Sequence, residues 1–190
     1  VQTPLLVIYA LINRETMLDL QPGRSVVENF LKEGVDVYMI DWGYPSRKDR
    51  YLTIDDHVNV YINDIVDFIR EQNNVPKVNI MGICMGGTFS VMFSALHPDK
   101  VQNLVTTVTP TYFNIDTGLL NIWMRGMPVE QIADTFGNIP GDFLNFGFLL
   151  LTLIFAFNLQ AQEEQQPKRF DYGKMWTFEN PPTEWFKEAY

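Results

Sequence analysis

Along the first part of the chain, short continuous apolar runs alternate with segments whose apolar positions recur every three or four residues. Residues 5–9 (LLVIY), 35–40 (VDVYMI), 78–82 (VNIMG) and 101–108 have the length and continuity of strands buried on both faces. Between them, Ser25 and Glu28 form a capping-box pattern opening a helix to about Glu33, with Gly34 to end it. Thr53 caps a second helix with Asp55 and Asp56 in its first turn. Val58, Tyr61, Ile62, Ile65, Phe68 and Ile69 give that helix one apolar face to about Gln72. A third helix follows residues 78–82 and runs to Leu96, where His97-Pro98 stops it. Strand, helix, strand, helix, strand, helix, strand predicts an α/β domain with a parallel sheet. Its crossovers should be right-handed and its ligand site should lie at the carboxyl ends of the strands.

One such end carries distinctive chemistry. Residues 78–90 read VNIMGICMGGTFS, so Cys84 sits between a strand and a helix with Gly82, Gly86 and Gly87 around it. This is the Gly-x-Cys-x-Gly-Gly form of a nucleophile elbow, a strained turn that holds a nucleophile above a parallel sheet. Side chains at the flanking glycines would clash inside so tight a turn. The N–H of Met85, at the helix start, is a candidate oxyanion donor, and the same helix end favours negative charge on sulfur. A buried structural Cys beside a glycine-rich turn is the competing reading. Residues 10–19 (ALINRETMLD) follow the first strand where an elbow fold places its second oxyanion donor. The N–H of Ile12 or Asn13 is the candidate, against an ordinary surface loop. Asp41 fits either a site residue or a turn former. Residues 46–50 (SRKDR) fit either an anion contact or a solvated loop.

After Pro110 the pattern changes, dividing the chain into a partial core, 1–110, and a cap or lid, 111–190, which holds three of the four Trp and no His or Cys. The run 134–141 (DTFGNIPG) is loop-like at its end. Residues 143–157 are almost all apolar, but as a helix they span only about 22 Å, short of a membrane crossing. Such a segment should pack over the elbow, on another subunit or against a hydrophobic ligand. The polar run 160–166 and the aromatic-rich run 170–190 follow. With 190 residues, 46% of them hydrophobic, the chain suffices for one domain with a sizeable core. A net charge of −9 argues against nucleic-acid binding, which needs a basic face. One Cys leaves no internal disulfide or Cys-based zinc spacing, and the expected setting is cytoplasmic. The opening residues do not resemble a signal peptide. Starting at Val1 almost on a core strand, the chain reads as a piece of a longer protein.

Four motifs, in order, carry a family resemblance: residues 9–14 (YALINR), 41–43 (DWG), 82–88 (GICMGGT) and 134–140 (DTFGNIP). Over roughly residues 4–151 the chain resembles polyhydroxyalkanoate synthases, most of all the class III catalytic subunit, with class IV next. The resemblance implies an α/β-hydrolase fold with Cys84 as nucleophile and a mostly helical cap after the fourth strand. It implies an acyltransferase that polymerises 3-hydroxyacyl-CoA into polyester at the granule surface, releasing CoA and using no cofactor. Implied partners are a second copy of the chain, a non-catalytic synthase subunit, or both. Cys suits this chemistry, because exchanging one thioester for another keeps the acyl group activated for the next hydroxyl.

The sequence departs from that family in its histidines. The acid and His of a hydrolase triad follow the nucleophile beyond the cap, and no such His is present. His57 precedes Cys84, and His97 lies about 20 Å along an intact helix from it; both read as structural. The last core strands are expected to be missing, and by itself the chain should manage at most slow acylation of Cys84. Alternative readings are a Cys-dependent esterase, thioesterase or depolymerase of the same fold, or a non-catalytic binding piece that keeps the elbow.

Overall fold

A computed structural model describes residues 3–113, 125–139 and 141–163, with backbone only at 151 and 154–163. The aromatic-rich run 170–190 lies outside the described residues. The chain forms two compact units, 1–138 and 139–190.

The first unit is built on a four-stranded parallel sheet. Strand β1 (Leu5–Ile8) leads into a 3-10 turn (Glu15–Leu18) and a small antiparallel pair, β2 (Asp19–Gln21) and β3 (Arg24–Ser25). Helix α1 (Val26–Lys32) and strand β4 (Val37–Met39) follow, then a second 3-10 turn (Arg47–Tyr51). A π-helical stretch (Asp56–Ile62) continues into helix α2 (Asn63–Asn73). Strand β5 (Val78–Ile83), helix α3 (Met85–Leu96) and strand β6 (Val101–Thr107) complete the sheet, and helix α4 (Val129–Phe136) ends the unit. Sheet order is β4-β1-β5-β6, every pair parallel, so β1, β4 and β5 all deliver their carboxyl ends to one edge. The parallel α/β sheet expected from the apolar runs is present.

Strand β1 is buried on both faces because alternate side chains enter two cores. Leu6 and Ile8 join Val58, Ile62, Val66 and Ile69 of the π-helical stretch and α2, with Phe89 and Phe93 of α3. Leu5 and Val7 face Phe30 of α1 and Ile83. Helix α1 starts where Ser25 Oγ accepts the Glu28 N–H at 2.8 Å, half of the expected capping box. The Glu28 carboxylate accepts instead from the Gly23 N–H, bracing the β2–β3 turn. Thr53 and Asp56 cap each other reciprocally: Asp56 Oδ2 accepts the Thr53 N–H at 2.7 Å and Thr53 Oγ1 accepts the Asp56 N–H at 3.2 Å.

In the second unit, helix α5 (Gly141–Glu163) contains the apolar run and extends through the first polar residues after it. No helix among the described residues is long and apolar enough to cross a membrane.

A charged clasp ties α2 to the start of β6. Asp67 accepts from Lys100 Nζ and from Arg70 Nη1, each at 2.7 Å. Partial burial works to raise the Asp67 carboxyl, but hydrogen bonds from Lys100 and Arg70 outweigh it and hold it below the usual carboxylate range. A carboxyl depressed on folding stabilises above its unfolded value near pH ~3.9 and loses that contribution as pH falls through the folded one. Urea midpoints should therefore show Asp67→Asn less stable than wild type at neutral pH, with the gap closing in acid below the usual carboxylate range.

Candidate active site

Strand β5 ends at Ile83, and the chain turns so sharply into α3 that Cys84 takes φ 55° and ψ −126°. A non-glycine residue holds such a conformation only where its surroundings enforce it. Here they do: the Cys84 N–H donates to Thr107 O at 3.0 Å, and the Cys84 carbonyl accepts from the Gly87 N–H at 2.9 Å. The sulfur-bearing residue is half-buried at the head of the helix.

Two close backbone approaches make this turn possible. A methyl group on Gly86 would overlap the Ile8 carbonyl and come within 2.7 Å of Tyr9 O. One on Gly87 would overlap the Thr109 side chain. The glycines of the motif thus let α3 start directly against the ends of β1 and β6. Nearby, Thr88 Oγ1 donates to Pro110 O at 2.7 Å. The N–H groups of Met85, Ile12 and Asn13 form no hydrogen bond among the described residues. Ile12 and Asn13 lie in the exposed turn after β1, Met85 in the first position of α3.

The turn after β4 makes contacts that its sequence does not advertise. Asp41 Oδ1 accepts the Gly43 N–H at 2.9 Å, the turn-forming geometry among the two roles open for it. Trp42 Nε1–H donates to Tyr9 O at 3.0 Å. The Trp42 ring lies 5.5 Å from His57 and meets Phe89 of α3 edge-on at 6.2 Å. Tyr44 accepts from Arg14 through its hydroxyl, and the guanidinium lies 4.6 Å from its ring centroid. The basic cluster is a 3-10 turn capped by Ser46 and Asp49, not a simple loop. Its Arg50 pairs with Asp134 of α4 at 2.8 Å, while Asn138 Nδ2–H donates to Pro45 O at 2.7 Å. Residues 134–138 of that motif therefore dock on the segment after β4; Asp134–Phe136 close helix α4, and the loop expected at the motif's end begins at Gly137.

His57 stacks on Phe89 with centroids 5.8 Å apart, and its Nδ1 lies 2.7 Å from Thr53 O, so Nδ1 carries the proton that the carbonyl accepts. His97 caps the far end of α3, with Nε2 2.9 Å from Asn59 Oδ1. Twelve helical residues, about 18 Å of rise, separate it from Cys84. A cleft of about 670 Å³ opens beside the turn after β4, with Trp42, Tyr44, His57 and Tyr61 in its walls. Trp42, Tyr44 and His57 were not singled out as a group by sequence; the signal available was the 41–43 (DWG) motif, which marked Trp42 without its contacts. No group of His, Cys, Asp and Glu among the described residues is arranged to hold a metal ion.

An elbow at the carboxyl edge of a parallel sheet defines a class, and a family model confirms it. The model described as alpha/beta hydrolase fold matches residues 3–184, and the chain belongs to that family. Within it, the sequence is similar to the poly(3-hydroxyalkanoate) polymerase subunit PhaC of Allochromatium vinosum, 47% identical over 188 residues, covering 94% of this chain and 52% of the relative. The Synechocystis subunit of the same name is 48% identical over 154 residues, covering 78% of this chain and 41% of the relative. These relatives bear out the resemblance carried by the four motifs. The chain spans about half the length of the first of the curated relatives it matches. Among solved structures, a carboxylesterase study of Nitrososphaera gargenis gives a TM-score of 0.50 at 23% identity, covering 72% of this chain and 46% of that one. A Sulfolobus solfataricus structure gives 0.51 at 15% identity, covering 78% and 56%. Both show the same fold.

Two substitutions test the elbow. Gly86→Ala, forced against the β1 backbone, should cost at least about 2 kcal/mol in a denaturant titration. Cys84→Gly, which relieves the positive φ, should come out more stable than Cys84→Ala by about 1 kcal/mol in the same assay.

Proposed function

We propose that this chain carries the nucleophile of a polyhydroxyalkanoate synthase, an acyltransferase that polymerises 3-hydroxyacyl-CoA. The observation that carries the reading is Cys84, held at positive φ at the head of α3 in a chain nearly half identical to named polymerase subunits. Cys84 Sγ attacks the thioester carbonyl, a carbon–sulfur bond to the enzyme forms, the one to CoA breaks, and the thiol proton leaves with the CoA sulfur. The N–H of Met85 and that of Ile12 or Asn13 stabilise the intervening oxyanion. The 3-hydroxyl oxygen of a second unit then attacks the acyl-enzyme carbonyl; a carbon–oxygen bond forms, the carbon–Sγ bond breaks, and the hydroxyl proton returns to the Cys84 sulfur, lengthening the chain by one ester. No metal or cofactor is required, since the thioester arrives activated. Neither His57 nor His97 is given the role of general base.

The rest of the reading concerns surroundings. Residues from about 111 onward serve as a cap, and the apolar helix α5 is covered in the working enzyme by a second copy, a non-catalytic synthase subunit or the polyester. The enzyme works in the cytoplasm at the granule surface.

Incubation of the intact protein with 3-hydroxybutyryl-CoA should add one acyl mass to the peptide containing Cys84 and yield lengthening polymer. Cys84→Ala should abolish both. Release of free hydroxy acid without polymer would instead favour the esterase or thioesterase reading.

A further inference from the structure

We propose that the turn after β4 positions the oxyanion loop, with Trp42 and Tyr44 holding its two ends. This inference rests on the elbow chemistry above and assigns it two positioning residues. The loop is short: residues 10–13 separate Tyr9 from Arg14. At its entrance, the β1–β4 ladder ends with the Ile40 N–H donating to Val7 O at 3.2 Å. The next outward-facing carbonyl on that side, Tyr9 O, accepts from an indole N–H instead of from backbone. A peptide unit is planar, so fixing that oxygen fixes the Tyr9–Ala10 plane and the direction in which the loop departs. Ala10 is fully buried, which leaves that departure no slack.

The same carbonyl faces Gly86, two residues past the nucleophile. Tyr9 O is therefore gripped by Trp42 on one side and lies against the elbow on the other. Trp42 itself meets both His57 and Phe89, and those two rings stack on each other. Phe89 belongs to the elbow helix, so one cluster references the loop entrance to the helix that carries Cys84. At the exit, Tyr44 takes Arg14 by a hydrogen bond and by its ring face. Both clamps come from residues two apart on one turn, which the Asp41 carboxylate closes on the Gly43 N–H. An oxyanion donor acts only if aimed at the oxygen of the tetrahedral intermediate, and misplacement by about 1 Å costs up to about 100-fold in rate.

Trp42→Phe keeps an aromatic ring in the cluster while removing the N–H and trimming the indole to one ring, and Tyr44→Phe deletes only the hydroxyl. In the intact protein, two reactions of Cys84 separate positioning from general structure. Alkylation by iodoacetamide needs no oxyanion, whereas acylation by 3-hydroxybutyryl-CoA or by p-nitrophenyl acetate does. For Trp42→Phe, acylation should slow by about 10–100-fold while alkylation stays within about twofold of wild type. Tyr44→Phe should shift in the same direction by less. Equal slowing of both reactions, or of neither, overturns the proposal. Wild type acylated by the ester but not by the CoA thioester would sink the polymerase reading alone, since the ester arm still decides the role of Trp42.

Discussion

Everything at the carboxyl edge of the sheet depends on one backbone contact, that of Gly86 with the Ile8 and Tyr9 carbonyls. Helix α3 cannot begin where it does unless the side-chain position at Gly86 is empty. Where it begins, the chain passes from β5 into α3 through Cys84 at φ 55°. The strain at Cys84 is thus the local cost of a tight union between strand and helix, and hydrogen bonds to Thr107 and from Gly87 hold it in place.

From that contact outward, the four sequence motifs meet in space. The elbow touches the end of β1, the end of β1 is gripped by Trp42, and the segment after it is tied to Tyr44. The turn that supplies both aromatics receives Asn138, and the 3-10 turn beyond it receives Asp134. Stretches far apart in sequence therefore form one continuous set of contacts around the strand ends. Their shared presence in a polymerase-like chain has a physical basis, because altering one shifts the surface against which the next is built.

The parts legible in the sequence were those with strong periodicity or tight stereochemistry. Strand β1 announced itself because burial on both faces demands an unbroken apolar run, and Cys84 because only glycines tolerate its neighbours' positions. The β2–β3 pair was not legible, since strands of three and two residues, exposed except for Ser25, carry no pattern. The π-helical stretch hid because Val58, Ile62, Val66 and Ile69 also suit an α-helix. Helix α4 hid because its last residues lie in a motif that ends in glycine and proline. Trp42 stood in the 41–43 motif, but its contacts were not legible. Its partner Tyr9 is 33 residues away, and nothing local marks an indole as the donor that finishes a strand ladder.

The hydrogen bond from Thr88 to Pro110 has a mechanical consequence. Pro110 lies three residues past the end of β6, and its carbonyl is held by Thr88 at the close of the first turn of α3. Thr109 presses on Gly87 just beside it. One side chain thus joins the Pro110 backbone to α3 within four residues of Cys84. The exit from β6 and the turn that holds Cys84 therefore share one set of contacts, so a shift in either displaces both.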